Sequence, residues 1–476
     1  MTASPQFDAV VVGSGPNGLM AAVTVARAGR SVAVFEAAPT PGGGTRTAEL
    51  TRPGFRHDVC SAIHPFGVAS PAFAELDLAR HGLRWIHPDA PMAHPLDDHT
   101  VVMSRSVDAT AAGLGDDGDA WRRLIGRQAA AIERYLPDIT SGLRLPRHPV
   151  ATARFGLVGG RSASGLADAR FTTADARALF AGIAAHAVLP FDRRLSASVG
   201  VLLGALGHAV GWPMAAGGSQ AIADALVAEL AEHGGVVHCG MPVASLAELP
   251  SSRVVLADVS PRGLDRLAGG RLPVRYRRRL LAFRHGPAAF KIDHALSAPV
   301  PWRDPATARA ATVHIGGTIE EIAAAEAAPW ASRHAERPFV LTVQSSLFDP
   351  DRAPTGGHTL WSYCHVPNGS DVDMTDAIES QIERFAPGFR DTIVARHVTP
   401  PAALEAGNAN YVGGDISGGA LDWRQLVTRP VPSLRPWATP CPGLYICSAS
   451  TPPGGGVHGL SGWHAARLAL RRELRD

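Results

Sequence analysis

The chain has 476 residues, 46% of them hydrophobic and 18% charged, with a formal net charge of +2. That length supports two or three domains with buried cores, and the composition is that of a globular protein rather than a disordered one. The balanced charge argues against a nucleic-acid partner, which requires a concentrated basic excess.

The five cysteines, Cys60, Cys239, Cys364, Cys441 and Cys447, are scattered, odd in number and without a Cys-x-x-Cys pair. This pattern argues against a disulfide framework, a metal site and a redox dithiol. Met1–Gln6 are polar and too short for a signal peptide. The longest apolar run, Val199–Trp212, is interrupted by glycines and His208, so no stretch reaches membrane-spanning length. The expectation is a soluble, cytoplasmic protein in a reducing compartment.

In chain order, Phe7–Val12 reads as a short buried parallel strand. Gly13-Ser14-Gly15-Pro16-Asn17-Gly18 follows, then a helix-forming run Leu19–Ala28 and a second strand, Ser31–Phe35, ending on Glu36. Gly13 suits a tight turn, Gly15 allows backbone to approach a pyrophosphate, and Gly18 allows close helix–strand packing. The helix N-terminus offers N–H groups and a positive dipole end to phosphate. Glu36 can accept hydrogen bonds from both ribose hydroxyls, and its charge disfavours a 2′-phosphorylated cofactor. Ala37 then leads into Pro41-Gly42-Gly43-Gly44-Thr45-Arg46, a second glycine run that an NAD site does not need.

Further along, Thr110–Leu136 and Thr173–Trp212 read as largely helical. Gly156–Gly165 lacks the strand and the acid of a second nucleotide site, which argues against a separate NAD(P) domain. Gln220–His233 reads as an amphipathic helix, Val236–Cys239 and Arg253–Val259 as strands, and Arg275–Arg279 as a solvated basic helix face. Peripheral contact of that basic run with an anionic membrane is a secondary expectation. Phe339–Val343 and His358–Tyr363 alternate like strands of a mixed sheet, and Asp415 sits in a glycine-rich loop as a turn-stabilising acid. Gly443–Ser450 reads as a strand and turn, Pro452–Gly462 as a glycine loop, and about Gly459–Leu474 as a helix.

Gly43-Gly44-Thr45-Arg46 resembles the Gly-Gly-Arg motif of glutathione reductase-like flavoproteins in their amine oxidase and phytoene desaturase branch. With Pro53–Ser61, Trp212–Gly218, Phe290–Asp293, Val313–Thr318, Asn410–Gly419 and Cys447–Gly462, the likeness runs nearly end to end. The chain resembles the phytoene dehydrogenase-related proteins, in the subgroup of pyridine nucleotide-disulfide oxidoreductase domain-containing protein 2. Pro452-Pro453-Gly454-Gly455, in place of the desaturase His-Pro-Gly-Gly, argues against carotenoid desaturation itself.

The resemblance implies an α/β fold, with a Rossmann-like FAD-binding domain discontinuous in sequence (1–70, 213–262 and 403–476). A second α+β substrate domain (71–212 and 263–402) would hold a mixed sheet and helices. It implies non-covalent FAD. Gly13–Gly18, Glu36 and Ala37 would hold the ADP half, with backbone near Val243 at the adenine. Gly43, Gly44, Thr45, Arg46, Ala449, Ser450, Gly456, Val457, Gly459 and Leu460 would lie by the pyrophosphate and flavin. The candidate catalytic residues are Lys291, which such enzymes hold near flavin N5, then His64 and His458. For Lys291 the plain alternative is an ion pair with Asp293. The implied activity is dehydrogenation of a largely apolar small molecule, with dioxygen or a quinone as electron acceptor. A reduced-FAD isomerase and a flavin-binding regulatory protein are the alternatives.

Overall fold

The computed structural model describes residues 6–475, so Met1–Pro5 of the polar N-terminal segment lie outside the described residues. Phe7–Val12 is apolar beyond Asp8 and forms the centre of a five-stranded parallel sheet. The order is Leu444–Ile446, Ser252–Ala257, Phe7–Val12, Val32–Phe35 and Val236–His238. Such strands are covered on both faces, which is why Val10, Val11, Val34 and Leu256 are fully buried. The helices Pro16–Arg27, Gln220–Glu232 and Leu460–Arg472 pack together beside this sheet.

The second sheet has seven strands and is mixed. Its order is Ile393–Thr399, Ala288–Leu296, His358–Val366, Val340–Val343, Ala310–Ile315, Ala90–Pro95 and Thr100–Met103. Only the Ala310–Ile315 and Ala90–Pro95 neighbours run parallel. Side-chain alternation gives it two apolar faces. Trp361, Tyr363 and Ala289 join a core with the helical residues Phe180 and Leu206 and with Trp212 from a loop. Leu360, Cys364 and Phe290 join the opposite core with Ile382, Phe385 and Phe389. Each such buried large side chain contributes roughly 1.5–3 kcal/mol.

Thr110–Leu136 is largely helical as expected, in short pieces that include Val107–Gly113, Gly118–Trp121 and Ile132–Ile139, with Gly113, Gly115, Gly118 and Gly126 weakening a continuous helix. Two elements differ from their sequence expectation. The strand expected to reach Val259 stops at Ala257, because Ser260 caps the helix Pro261–Ala268 by accepting the Gly263 N–H and the chain must turn before it. The strand beginning at His358 runs on to Val366 and so carries His365 into the sheet.

Among the described residues, no helix is long and apolar enough to cross a membrane.

Candidate functional site

The nucleotide side of the site is built from backbone. Gly13 has φ +95°, and a Cβ on Gly18 would lie 2.0 Å from the Gly13 carbonyl oxygen, so the turn closes only without side chains. Glu36, at the end of the second strand, holds the loop in place. Its Oε2 accepts the Ser14 N–H at 2.7 Å and the Ser14 hydroxyl at 2.6 Å, and Oε1 accepts the Ala38 N–H at 2.8 Å. Gly43 lies on this loop, since a Cβ there would meet Gly15 Cα at 3.0 Å. Arg46 donates to Gly43 O at 3.0 Å and to Gly407 O at 2.9 Å, tying the second glycine run to a distant part of the chain.

A continuous cavity of about 1140 Å³ opens beside these residues. On the nucleotide side its wall includes Gly13, Gly15, Pro16, Asn17, Glu36, Ala37 and Val243. It continues past Gly43, Gly44, Thr45, Arg46, His64, Ala449, Ser450, Gly456, Val457 and His458. It then reaches the mixed sheet at Ala289, Thr312, Leu341, Val343, Trp361, Tyr363 and His365, faced by Phe155 and Leu202 from helices and by Trp212 from the loop after Ser196–Ala209.

Five of the sequence-derived candidates do not line it. Ser14 is turned to Glu36, and Gly18 is packed on Gly13. Gly459 and Leu460 begin the C-terminal helix, where Gly459 abuts Met20 and Phe73 and Leu460 is buried in the core. Lys291 stops short of the cavity on the same sheet face as Trp361 and Tyr363, and its ammonium pairs with the Asp293 carboxylate. Burial is essentially complete for both, and Asp293 also faces His57 Nδ1 at 3.6 Å. The plain ion-pair alternative describes the Lys291 geometry.

His64 and His458 do reach the cavity, both buried. His64 Nε2 meets the Ser219 hydroxyl at 2.8 Å, and His458 Nδ1 accepts the Leu460 N–H at 3.0 Å. Burial lowers each imidazole to about 4, so both are neutral near pH 7.

Sequence reasoning passes over three groups and reads a fourth, Asp415, only in part. Asp258, just past the strand Ser252–Ala257, accepts the Gly18 N–H at 2.9 Å, and a Cβ on Gly15 would meet its Oδ2 at 2.9 Å. Burial, against the lowering effect of that N–H and with the Glu36 charge adding to it, raises its carboxyl to about 7. Asp415 clamps its loop by accepting N–H groups of Gly286, Ser417 and Gly419 at 2.8–2.9 Å; the acid was read as a turn former, but its tie to Gly286 was not. Arg429, fully buried, donates to the carbonyls of Gly418 at 2.8 Å and Ala449 at 3.0 Å. Burial lowers it only to about 10, so a cation stands behind the Ala449–Ser450 turn. His365, on the mixed sheet, has Nδ1 2.9 Å from both oxygens of Glu326. The one local signal for these was an acid directly after an apolar strand, at Asp258.

Comparison with known proteins agrees with this architecture. Residues 11–77 match the NAD(P)-binding Rossmann-like domain. Pyridine nucleotide-disulfide oxidoreductase domain-containing protein 2 of Rattus norvegicus is 26% identical, the alignment covering 98% of this chain and 94% of that protein. The Mus musculus protein of the same name is 27% identical over the same shares. Among solved structures, an oxidoreductase from Methanosarcina mazei superposes with TM-score 0.68 at 16% identity, covering 98% of this chain and all of that one. Putrescine oxidase gives TM-score 0.63 at 18% identity, over 98% and 99%. The chain is therefore similar end to end to the proteins named pyridine nucleotide-disulfide oxidoreductase domain-containing protein 2, with a Rossmann-like dinucleotide-binding domain and the fold of amine oxidase-type oxidoreductases.

Proposed function

We propose that this protein is an FAD-dependent oxidoreductase that removes two hydrogens from a largely apolar small molecule. One observation carries the reading: a single cavity joins a backbone-built nucleotide site to an apolar wall on a second sheet. A volume of about 1140 Å³ exceeds the usual few hundred to a thousand Å³ of a small-ligand pocket, and suits a dinucleotide together with a substrate.

The residues present fit the cofactor. The Gly13–Gly18 turn and the helix starting at Pro16 would receive the pyrophosphate, Glu36 the ribose, and Val243 the adenine. Gly43–Arg46, Ala449, Ser450 and Gly456–His458 would enclose the flavin half, with the Arg429 cation behind them. When bound, without a covalent link, FAD supplies the two-electron acceptor that the protein's own side chains lack. Neutral His64 and His458 bring no charge to the wall, and Trp212, Leu202 and Phe155 exclude water from an apolar substrate. Dioxygen or a quinone completes turnover as the final electron acceptor.

The test is the absorbance spectrum of the purified protein and of the supernatant after denaturation. A flavin band that moves into the supernatant supports the reading; a colourless protein that takes up no FAD overturns it. Lys291 enters the proposal as a positioning residue that acts through Trp361 and Tyr363. Lys291→Met is expected to retain FAD, because His57 can take a proton beside Asp293, and to slow flavin reduction or reoxidation about tenfold or more. Unchanged rates in stopped-flow absorbance remove Lys291 from the mechanism.

A further inference from the structure

The substrate side of the cavity is apolar except at a few atoms, and three of these have no hydrogen-bond partner. They are Thr312 Oγ1, Trp361 Nε1 and His365 Nε2, each on a buried side chain that lines the cavity. An unpaired polar atom in such a place is costly unless a ligand or water meets it.

His365 differs from the other two because its orientation is fixed from behind. Glu326, on the helix Ile319–Ala327 and 2% exposed, brings both carboxylate oxygens to 2.9 Å from His365 Nδ1. A carboxylate only accepts hydrogen bonds, so Nδ1 carries a hydrogen, and the ring turns its other nitrogen, Nε2, to the cavity with no partner. Nearby histidines do not compete for this role. His186 Nε2 is engaged with His314 Nε2 at 2.9 Å, and burial lowers both rings below the usual imidazole range. Thr312 and Trp361 form a separate station. They share one row of the sheet through Val343, whereas His365 is four residues beyond Trp361, about 13 Å along the strand.

We infer that His365, positioned by Glu326, is the recognition point for a hydroxyl on an otherwise apolar substrate. This deepens the proposed function and rests on it for the word substrate. A purely hydrocarbon substrate leaves Nε2 unmet, while a hydroxyl, which both donates and accepts, satisfies it without bringing a net charge into an apolar wall. The Glu326–His365 pair is thus more than a tie between helix and sheet.

An isosteric series tests this: cyclohexylmethanol, cyclohexylmethylamine and ethylcyclohexane, each titrated by calorimetry into the protein as purified. The wild type is expected to bind the alcohol about tenfold more tightly than the hydrocarbon and than the amine, which is an ammonium near neutral pH; an amine that leads overturns the assignment. In His365→Leu that preference is expected to vanish while hydrocarbon binding persists, and His365→Gln is expected to keep part of it. A merely structural His365 would lower the melting temperature of both variants without changing the ratio. Equal binding of all three probes by the wild type overturns the inference even if no variant folds, as does a preference that survives His365→Leu. Calorimetry needs no flavin signal, so failure here and failure of the FAD reading are read separately.

Discussion

The two sides of the cavity are made in opposite ways. On the nucleotide side the working atoms are backbone groups of one short turn, fixed by glycines and by the Glu36 carboxylate. On the mixed-sheet side they are side chains, Thr312, Trp361 and His365, delivered by strands that are distant in sequence. A backbone-built site fails when a Cβ is added where two chains touch. A side-chain-built wall tolerates small volume changes but depends on buried rings such as His186, which also lines the cavity, remaining uncharged. The contrast implies that acid should damage the molecule mainly through its buried histidines, and that methyl groups should damage it where glycines meet backbone.

The largest effect expected is acid unfolding. Burial lowers His57, His64, His94, His458 and His464 to about 4 and His186 to about 3. A folded-state value below the unfolded 6.5 means that the unfolded chain binds more protons between the two values, so stability falls as pH falls through that window. At pH 5 each ring costs roughly 2 kcal/mol, and the six together cost on the order of 10 kcal/mol, comparable to the whole stability of a domain. The melting temperature should therefore drop steeply from pH 7 to pH 5. A flat profile over that range would show that these rings are hydrated in solution, and the comparison would lose its electrostatic half.

Next in size is a single acid on the nucleotide side, with the opposite sign. Asp258 is raised to about 7, so between 3.8 and 7 the folded chain binds the extra proton and stability falls as pH rises. Full ionisation costs up to about 4 kcal/mol. Asp258→Asn keeps an oxygen for the Gly18 N–H and carries no charge. It should melt at a higher temperature than wild type at pH 8, by a margin that shrinks to less than half at pH 5 as the wild-type carboxyl is protonated. If the variant is weaker at both pH values, the carboxylate itself is required beside the glycine turn.

How far each side is legible in the sequence follows from how it is built. The Phe7–Glu36 unit is contiguous, its glycines are dictated by backbone contact, and the strand–turn–helix order is local, so it reads directly. Gly43, Gly44 and the Gly454–Gly456 loop needed a family likeness to be joined to it, because the contact of Gly43 with Gly15 is tertiary. The mixed sheet was anticipated as strands, but not its order, in which Ala90–Pro95 lies beside Ala310–Ile315. His365 fell outside the expected strand by two residues, and its partner Glu326 is on a helix 39 positions earlier. No periodicity links such a pair. Lys291 shows the converse. Strand alternation puts it on the same face as Asp293 and so offers the ion pair directly, whereas its place beside Tyr363 and Trp361, short of the cavity, is tertiary and no flanking residue reveals it.

The smallest of these expected effects bears on the backbone half of the comparison, away from any charge. Gly462 lies in the C-terminal helix Leu460–Arg472, where alanine would ordinarily stabilise by up to about 1 kcal/mol. A Cβ there, however, would stand 1.8 Å from the Asn17 carbonyl oxygen and 3.0 Å from the Ala21 nitrogen, both backbone atoms of the helix that begins the nucleotide site. Neither can swing aside as a side chain would, so the two helices must separate along their length. Overpacking of this kind costs typically 1–3 kcal/mol, which exceeds the propensity gain. Gly462→Ala should therefore lower the melting temperature and weaken FAD retention together, since Asn17 and Pro16 on the displaced helix line the nucleotide end of the cavity. The alcohol-over-hydrocarbon preference at His365 should be unchanged, because that wall belongs to the other sheet. A variant more stable than wild type would mean that propensity outweighs packing here, and that the nucleotide side is less tightly closed than its glycines indicate.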